Sequence, residues 1–357
     1  MCENHPEIDA RFVIERGCED YERMKTVGKV LVRDSFKHKL LLLMSEYVVS
    51  SHAEDYIFNP FYSYFHAYRD MLYKRKFVFL QHGVIMNDLS DWLYRFNKRI
   101  FGFITSAKGE YDSIASADYD YDENQVWLTG LPRFDRLYDK DEKCITVMPT
   151  WRKYIFKGYN KAIKAWEVND DFEDSDYLTF YRGLLTHERL NKALEDYGYT
   201  LAFLPHPNLQ SNIDYFKVND KVRFFDASTD YRDVYAISSL IVCDYSSAVF
   251  DFAYLRKPIV YAQFDAEDFF GGKHTVKKGY FDYERDGFGE VKKNNETIER
   301  AVDVLRDRVP FCIFPEGQHQ AKYSALPLSK GIFRIAMQAH ELMPETPLYI
   351  VPLGLRY

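Results

Sequence analysis

Two adjacent serines are the residues of this sequence best suited to binding an anion. Ser246 and Ser247 follow a short apolar run at 240–243 and precede a helical pattern and a second apolar run at 258–263. This order predicts a β-α-β unit with parallel strands. The start of its helix would offer unpaired backbone N–H groups, the positive end of the helix dipole and two hydroxyls, which suit a phosphate. Helix capping by serine is the structural alternative.

Three other strand-like runs also end in residues with useful chemistry. His82 and Gly83 follow one run, His206 lies between two prolines after a second, and Thr150 and Arg152 follow a third. Imidazole is a natural general base near neutral pH, and a guanidinium pairs with phosphate through two hydrogen bonds. Each also has a structural interpretation, namely a turn at His82, a stiff loop at His206 and surface stacking at Arg152. Together with the serines, they predict an anionic ligand in a cleft.

Strand-like and helical patterns alternate along the chain and would position these residues. Helical patterns occur at 21–25, 178–197 and 231–237, and the acidic stretch 167–176 is expected to be an exposed loop or a helix start. Alternation of this kind predicts an α/β architecture with parallel sheets. The strand-like runs are 11–14, 29–32, 47–50, 77–80, 102–106, 125–129, 144–148, 200–204, 222–225, 240–243 and 259–261.

Length and composition exclude several classes of protein. The 357 residues favour two domains, with a break in the charged stretch at 138–143. A formal net charge of −7 argues against binding nucleic acid. The five cysteines lack the spacing of a zinc site or a disulfide framework. No carboxylate pair stands out as a metal cage, so the sequence leaves open whether a divalent ion is needed, and we expect no cofactor. No apolar run is long enough to cross a bilayer and no signal peptide is visible, so we expect a cytoplasmic protein.

Six motifs in order resemble the CDP-glycerol glycerophosphotransferases, the bacterial polymerases and primases of teichoic acid and capsule. The resemblance spans residues 5 to 291 approximately. The motifs are FLQHGV (79–84), TGLPRFDRL (129–137), MPTWR (148–152), LPHPN (204–208), CDYSSAVFDFAYLRKPIVY (243–261) and KGYFDYERDGFGEV (278–291).

The resemblance implies a GT-B-type fold, in which two Rossmann-like domains face a cleft. The acceptor-side domain would span 1–140 and the donor domain 141–293. His82 would take the proton from an acceptor hydroxyl that attacks the β-phosphorus of CDP-glycerol. His206 would stabilise charge on the pyrophosphate, and Ser246 and Ser247 would bind the phosphates.

Other positions match the family less directly. Gly83, Thr150 and Arg152 would border the pocket that holds the phosphates. Asp251 matches an acidic helix position whose role the motifs leave open. One departure is Gln81, where many members carry Trp before the His-Gly pair, and this departure bears on the identity of the acceptor.

The last part of the chain resembles a different family. Residues 294–357 are similar to part of the lysophosphatidate acyltransferases, with FPEG (314–317), LPLSKGIFRIA (326–336) and IVPLGLRY (350–357). That family requires H-x-x-x-x-D for catalysis, and none of the ten histidines has Asp five residues later. We therefore expect a partial acyltransferase-like α/β segment without acyltransferase activity of its own.

The implied function is transfer of glycerol phosphate from CDP-glycerol to a wall or capsule polymer or its lipid-linked primer, with release of CMP. One alternative is a CDP-ribitol donor. The other is a non-catalytic or lipid-directed fusion protein, in which the glycerophosphotransferase-like part binds a nucleotide and the tail acts with an acyltransferase partner. A lipid-linked acceptor implies peripheral contact with the inner face of the cell membrane. The basic and aromatic stretch at 68–77 is a candidate for that contact, although a solvated helix face explains it equally well.

Overall fold

The protein forms parallel sheets flanked by helices, as the alternating pattern predicted. The computed structural model describes residues 5, 7–61, 74–226 and 228–292. All the described strands and helices belong to one compact unit, residues 1–303, whereas residues 304–357 lie outside the described residues. The strands are β1 (Arg11–Ile14), β2 (Lys29–Val32), β3 (Tyr47–Ser50), β4 (Lys76–Phe79), β5 (Ile100–Thr105), β6 (Val126–Leu128), β7 (Cys144–Met148), β8 (Phe156–Asn160), β9 (Ala165–Val168), β10 (Thr200–Phe203), β11 (Val222–Phe224), β12 (Ser238–Cys243), β13 (Ile259–Ala262) and β14 (Gly289–Lys292).

The helices lie mainly in the connections between consecutive strands. A further run of 3-10 helix spans Pro207–Phe216. The α-helices are α1 (Asp20–Val27), α2 (Phe36–Met44), α3 (Asp55–Phe58), α4 (Ser90–Leu93), α5 (Arg95–Lys98), α6 (Lys108–Ile114), α7 (Asp176–Thr186), α8 (Glu188–Tyr197), α9 (Tyr231–Ile237), α10 (Val249–Tyr254) and α11 (Ala266–Asp268).

The first half of the chain builds a four-stranded parallel sheet in the order β3-β4-β5-β6. A separate parallel pair, β1-β2, precedes it. Aromatic rings fill one face of the four-stranded sheet, where Phe79 lies 5.1 Å from Phe103 between ring centroids. Polar segments follow the carboxyl ends of these strands, and His82 belongs to the segment after β4.

The second half builds a six-stranded parallel sheet in the order β11-β10-β7-β12-β13-β14. Counted from β7 along the parallel strands, this is the order 3-2-1-4-5-6 of the doubly wound nucleotide-binding fold. The order of strands switches from one side of β7 to the other at β12, and these two strands pair from Ser238 with Cys144 to Cys243 with Met148, with a register shift between Ser238 and Leu240. Ligands bind such sheets at the carboxyl edge of this switch point.

Contacts between side chains join the two sheets. The rings of Phe134 and Tyr254 stack at 4.9 Å. Leu137 and Phe250 pack against the buried cluster that contains Val78 of β4. Apolar burial of this kind is the main favourable term in holding packed elements together.

Most sequence predictions of elements are confirmed, and three differ. The helical pattern at 178–197 is two helices, because His187 leaves the helical conformation and caps the second through its side chain. Part of the stretch at 167–176 belongs to an antiparallel hairpin formed by β8 and β9. β14 was not predicted. The proposed domain boundary at 140 falls between the last strand of the first sheet and the first of the second, and the two-domain division stays a prediction.

Candidate active site at the junction of the two sheets

A cavity of about 480 Å³ lies where the carboxyl edges of the two sheets meet. His82 reaches it from the first sheet, and Ser246 and Ser247 reach it from the second. We call this the histidine cavity. The structure therefore brings together the predicted base and the predicted phosphate-binding hydroxyls. Its remaining lining residues are Arg133, Arg136, Leu137, Asp230, Tyr231, Arg232, Tyr235, Ala248 and Asp251.

His82 is exposed and its ring is held in one orientation. Its Nδ1 lies 3.1 Å from the backbone carbonyl oxygen of Ser51, and its ring stacks on His52 at 5.0 Å. A carbonyl oxygen only accepts hydrogen bonds, so Nδ1 carries the proton in the neutral ring. The lone pair of Nε2 is then free to accept a proton from a substrate, which is what a general base requires.

A buried carboxylate shapes the loop that carries His82. Glu110 is fully buried and accepts hydrogen bonds from the backbone N–H groups of Ile85 and Ser106, both at 2.7 Å. It also accepts from Gln81 at 3.1 Å, and Gln81 has a left-handed backbone with φ of 62°. Burial raises the pKa of Glu110 above its usual range. Gln81 is itself buried, so any effect it has on acceptor choice passes through the position of His82.

Arg133 fastens the His82 loop to the second sheet. Its guanidinium donates two hydrogen bonds to the carboxylate of Asp251 in α10, at 2.6 Å from Nε and 2.5 Å from Nη2. Its third nitrogen donates to the backbone carbonyl oxygen of His82. Bidentate arginine–carboxylate pairs are the most directional of ion pairs. The open role of Asp251 is thereby assigned, since it anchors the arginine that positions His82.

Gly83 marks the closest approach of the two strand-end loops. A Cβ atom at this position would lie 2.7 Å from the hydroxyl oxygen of Ser247. No side chain fits there unless Ser247 turns away. Gly83 thus leaves the Ser247 hydroxyl free to keep its present orientation beside the histidine cavity.

The two serines play different parts. The hydroxyl of Ser246 accepts a hydrogen bond from the backbone N–H of Ala248 at 3.2 Å, which is a local serine turn just before α10. It is not a side-chain cap of the helix, whose N-cap residue is Ala248. The hydroxyl of Ser247 has no hydrogen-bond partner within the described residues. α10 has six residues, so its dipole is smaller than that of a longer helix. Ser247 is the better candidate for a direct contact with phosphate.

Among the described residues, the histidine cavity contains one arginine that is available to an anion. Arg133 is committed to Asp251, and Arg232 is paired with Asp230 at 3.3 Å. Arg136 is exposed, lines the cavity and has no ion pair within the described part of the chain. Sequence reasoning did not select Arg133 or Arg136, although both lie in the motif TGLPRFDRL. Their spacing of three residues on a short 3-10 helix, Pro132–Arg136, was the available signal.

Arg152 does not have the predicted role. Its side chain is fully buried, and its guanidinium pairs with Asp265 at 2.7 Å and Asp244 at 2.9 Å. Faces of three aromatic rings, including Tyr245 at 4.8 Å, enclose the same group. A guanidinium so enclosed cannot meet a phosphate, so the expectation that Arg152 borders the phosphate pocket is corrected. It neutralises two buried carboxylates instead.

Thr150 belongs to the same buried network and does not line the histidine cavity. Its backbone N–H donates to the carboxylate of Asp244, at 2.9 and 3.1 Å from the two oxygens. Its backbone carbonyl oxygen accepts from Arg152 at 2.7 Å. Asp244 also accepts from the hydroxyl of Tyr181 and from the backbone N–H of Tyr245, the residue before Ser246. This network fixes the ends of β7 and β12 at the switch point.

His206 lies beside Trp151 rather than on the wall of the histidine cavity. Its ring centroid is 6.1 Å from that of Trp151, and its Nδ1 accepts a hydrogen bond from the backbone N–H of Asn208 at 3.2 Å. Burial lowers the pKa of His206 to about 4. The ring is therefore neutral at pH 7 with its proton on Nε2, so it would meet a phosphate as a hydrogen-bond donor rather than as a cation.

The described residues hold neither a metal-binding cluster nor a membrane-spanning helix. No group of three or more His, Cys, Asp or Glu in these ranges is placed to hold a metal ion. Among the same residues, no helix is both long and apolar enough to span a bilayer. The predicted membrane-contact stretch at 68–77 falls largely outside the described residues.

Comparison with protein-family models gives a match over residues 1–310, to the family described as CDP-glycerol:poly(glycerophosphate) glycerophosphotransferase. The chain belongs to this family. The match covers the six motifs and confirms the resemblance drawn from them. It continues past residue 294, where the sequence suggested an acyltransferase-like segment. These comparisons give that suggestion no support, and the segment lies outside the described residues.

Curated relatives come from teichoic acid synthesis. The chain is 39% identical over 298 residues to the minor teichoic acid biosynthesis protein GgaB of Bacillus subtilis (strain 168), covering 83% of this chain and 32% of that protein. It is 25% identical over 250 residues to the teichoic acid poly(glycerol phosphate) polymerase of the same strain, covering 65% of this chain and 28% of that protein. The chain thus spans about a third of the length of these relatives.

Solved structures agree on the fold. The wall teichoic acid polymerase TagF matches with a TM-score of 0.57 at 15% identity, over 84% of this chain and 81% of that one. A putative UDP-N-acetylglucosamine 2-epimerase from Listeria monocytogenes matches with a TM-score of 0.51 at 12% identity, over 98% and 93%. Both have GT-B-type folds, which confirms the predicted fold class.

Proposed function

We propose that this chain transfers glycerol phosphate from CDP-glycerol to a hydroxyl of a teichoic acid-like wall or capsule polymer or its lipid-linked primer. The observation that carries the proposal is the histidine cavity, which is lined by His82 and Arg136 from the first half of the chain and by Ser247 from the second. A general base and an anion-binding edge in one cavity are what phosphoryl transfer to an alcohol requires. Membership of the family supports the choice of donor.

The reaction uses the groups of the cavity as follows. The acceptor oxygen attacks the β-phosphorus of CDP-glycerol while Nε2 of His82 removes its proton. The bond between the β-phosphorus and the bridging oxygen breaks, and its electron pair leaves with CMP. Arg136 and the hydroxyl of Ser247 neutralise charge on the phosphate oxygens as the bond breaks. His206 supports the nucleotide side of the site through its neutral Nε2–H group.

Release of CMP tests the proposal. The protein and its His82→Ala variant are incubated with CDP-glycerol and a lipid-linked glycerol phosphate primer, and CMP is quantified over time. We expect the variant to release CMP about 10²–10⁴-fold more slowly, which is the usual contribution of a general base. Equally slow release by both proteins would favour the non-catalytic alternative.

The identity of the donor polyol needs its own comparison. Relatives at 24–28% identity include both glycerol-phosphate and ribitol-phosphate polymerases. We propose glycerol as the donor polyol, following the name of the matching family. CMP release with CDP-glycerol should exceed release with CDP-ribitol under the same conditions, and the reverse order would assign the ribitol donor. Cytoplasmic residence and contact with the membrane surface also belong to this proposal, because the primer is lipid-linked.

A further inference from the structure

A second and larger cavity lies along the same junction and takes no part in the proposed chemistry. Its volume is about 710 Å³, within the range of small-molecule sites. We call it the aromatic cavity, after the five rings that line it. These belong to Tyr119, Phe250, Tyr280, Phe281 and Phe288.

The two cavities are neighbours separated by α10. Asp251 of this helix lines the histidine cavity, and the preceding residue, Phe250, lines the aromatic cavity. Both sheets contribute to the second cavity, as they do to the first. Asp88 comes from the loop that begins at His82, and its carboxylate pairs with Lys277 of the second half of the chain at 2.6 Å. A ligand in the aromatic cavity would therefore lie next to the reacting groups.

The charge of the aromatic cavity is opposite in sign to that of the histidine cavity. Four carboxylates and two basic side chains line it, a formal charge of −2. Both basic groups have acidic partners, since Arg285 pairs with Asp286 at 2.6 Å and Lys278 with Asp282 at 3.5 Å. Of the other carboxylates, Asp88 pairs with Lys277 and Asp112 with Lys108, so within the described ranges the negative charge that remains unpaired is that of Asp118. Asp118 is exposed and has no ion pair among the described residues. Repulsion between like charges disfavours a phosphate-bearing chain here.

The rings and polar groups suit an uncharged, hydroxyl-rich molecule. Phe250 and Phe288 meet edge to face at 4.9 Å, and Tyr280 is held over Gly109, where a Cβ atom would lie 2.8 Å from the ring. The hydroxyl of Tyr280 is buried without a hydrogen-bond partner within the described residues. A buried hydroxyl without a partner costs free energy unless a ligand or water satisfies it.

We infer that the aromatic cavity binds an uncharged saccharide unit of the acceptor. Aromatic rings pack against the C–H face of a sugar ring, while carboxylates and hydroxyls bond its hydroxyl groups. This inference rests on the proposed function, because it assumes an acceptor that reaches the histidine cavity. It assigns the phosphate-bearing donor and the saccharide part of the acceptor to separate cavities of opposite charge.

Saccharide binding is measured without any donor, by saturation-transfer NMR with methyl β-D-glucopyranoside and methyl N-acetyl-β-D-glucosaminide as probes. Glycerol 3-phosphate is the charged comparison. Ser113→Trp fills the aromatic cavity, which Ser113 lines. Asn124→Trp adds the same bulk at an exposed position outside both cavities. Asp118→Asn is a milder second variant, for the case in which Ser113→Trp does not fold.

The protein and Asn124→Trp should show transfer to at least one glycoside and less to glycerol 3-phosphate. Ser113→Trp should weaken glycoside binding at least about tenfold, and Asp118→Asn should weaken it about threefold. No transfer to either glycoside, stronger binding of glycerol 3-phosphate, or unchanged binding in both variants would overturn the inference. Glycoside binding without CMP release would remove the proposed function and leave the saccharide site. CMP release without glycoside binding would remove the saccharide site and leave the proposed function.

Discussion

At the carboxyl edge of each sheet, one buried carboxylate accepts hydrogen bonds from the loops and holds them in place. The two carboxylates differ in whether a cation compensates their charge. Glu110 holds the His82 loop of the first sheet through hydrogen bonds from uncharged groups. Asp244 holds the ends of β7 and β12 in the second sheet and is paired with Arg152. Burial raises the pKa of Glu110, which has no cation against it within the described ranges. Arg152, although it lies in a family motif, therefore stabilises the strand ends beneath the site and does not contact a ligand itself.

Removing the arginine of the second sheet should have the greatest effect. Arg152→Ala leaves Asp244 and Asp265 buried without a cation, and breaking a buried ion pair costs about 3–5 kcal/mol of unfolding free energy. Urea denaturation followed by circular dichroism measures this loss. Arg136→Ala is the matched control, because that arginine is exposed and should change stability by less than about 0.5 kcal/mol. Equal stability of the two variants would show that the buried network is not what holds this edge.

Acid should lower the stability of the carboxyl edge of the second sheet by protonating two histidines that are neutral in the folded protein. His206 and His274 flank Trp151, and each accepts a backbone hydrogen bond at Nδ1 that protonation would break. Burial lowers the pKa of both to about 4. Their contribution to stability is complete above the unfolded pKa of about 6.5 and is lost as the pH falls towards 4.

The pH effect is measured as the unfolding free energy between about pH 7 and about pH 4. A loss of about 2 kcal/mol is expected for the pair, less than the full shift implies because His206 is only partly buried, whereas His274 is buried. His206→Gln keeps an acceptor near Asn208 and removes one titration, so the slope should fall by about half. Carboxylates affect both proteins alike. An unchanged slope in the variant would mean that His206 is not the group being protonated.

Glu110→Gln, at the carboxyl edge of the first sheet, should lower the catalytic rate more than it lowers donor binding. The substitution replaces one of the two carboxylate oxygens by an NH2 group, so the backbone N–H of either Ile85 or Ser106 loses its acceptor, which costs about 1–2 kcal/mol. Since the same bonds hold the loop of His82, the rate of CMP release should fall about tenfold while the affinity for CDP-glycerol changes little. Calorimetry gives the affinity and the CMP assay gives the rate. A loss of affinity without a loss of rate would place Glu110 on the donor side.

Substitution at the contact between Gly83 of the first sheet's edge and Ser247 of the second should have the smallest effect of those considered. Gly83→Ala sets a methyl group 2.7 Å from the hydroxyl of Ser247, and this hydroxyl can turn away at a cost below about 1 kcal/mol. The rate should fall severalfold because the turned hydroxyl no longer meets the phosphate, and adding Ser247→Ala should then lower the rate less than it does in the unsubstituted protein. A non-additive double-mutant cycle would confirm the contact, and full additivity would argue against it.

The sequence was sufficient for the fold because its strands are short apolar runs between polar turns. Each of the eleven predicted strands is present, shifted by at most two residues at either end. The hairpin of β8 and β9 was missed because its exposed residues carry no clear alternation. β14 was missed because glycine and charged residues interrupt its apolar pattern, and within the described ranges it pairs only with β13.

The candidate site was predictable in part, and Arg152 and Arg133 show where prediction stops. Both arginines lie in motifs after or between strands, and sequence alone cannot tell which faces a cavity. Arg152 is buried because two carboxylates distant in the chain, Asp244 and Asp265, converge on it. Arg133 reaches His82 and Asp251 only because the two sheets pack together. Ion pairs between residues so far apart in sequence depend on tertiary packing.

The proposed chemistry divides the histidine cavity between His82 as the base and Ser247 with Arg136 as the groups that bind the donor phosphates. A single-turnover rapid-quench measurement with CDP-glycerol and a primer gives the rate of the chemical step and the donor Kd in one titration. His82→Ala should lower the rate about 10²–10⁴-fold and leave Kd within about twofold. Arg136→Ala should raise Kd about tenfold or more. A His82→Ala variant that loses donor affinity but keeps its rate would be incompatible with this division.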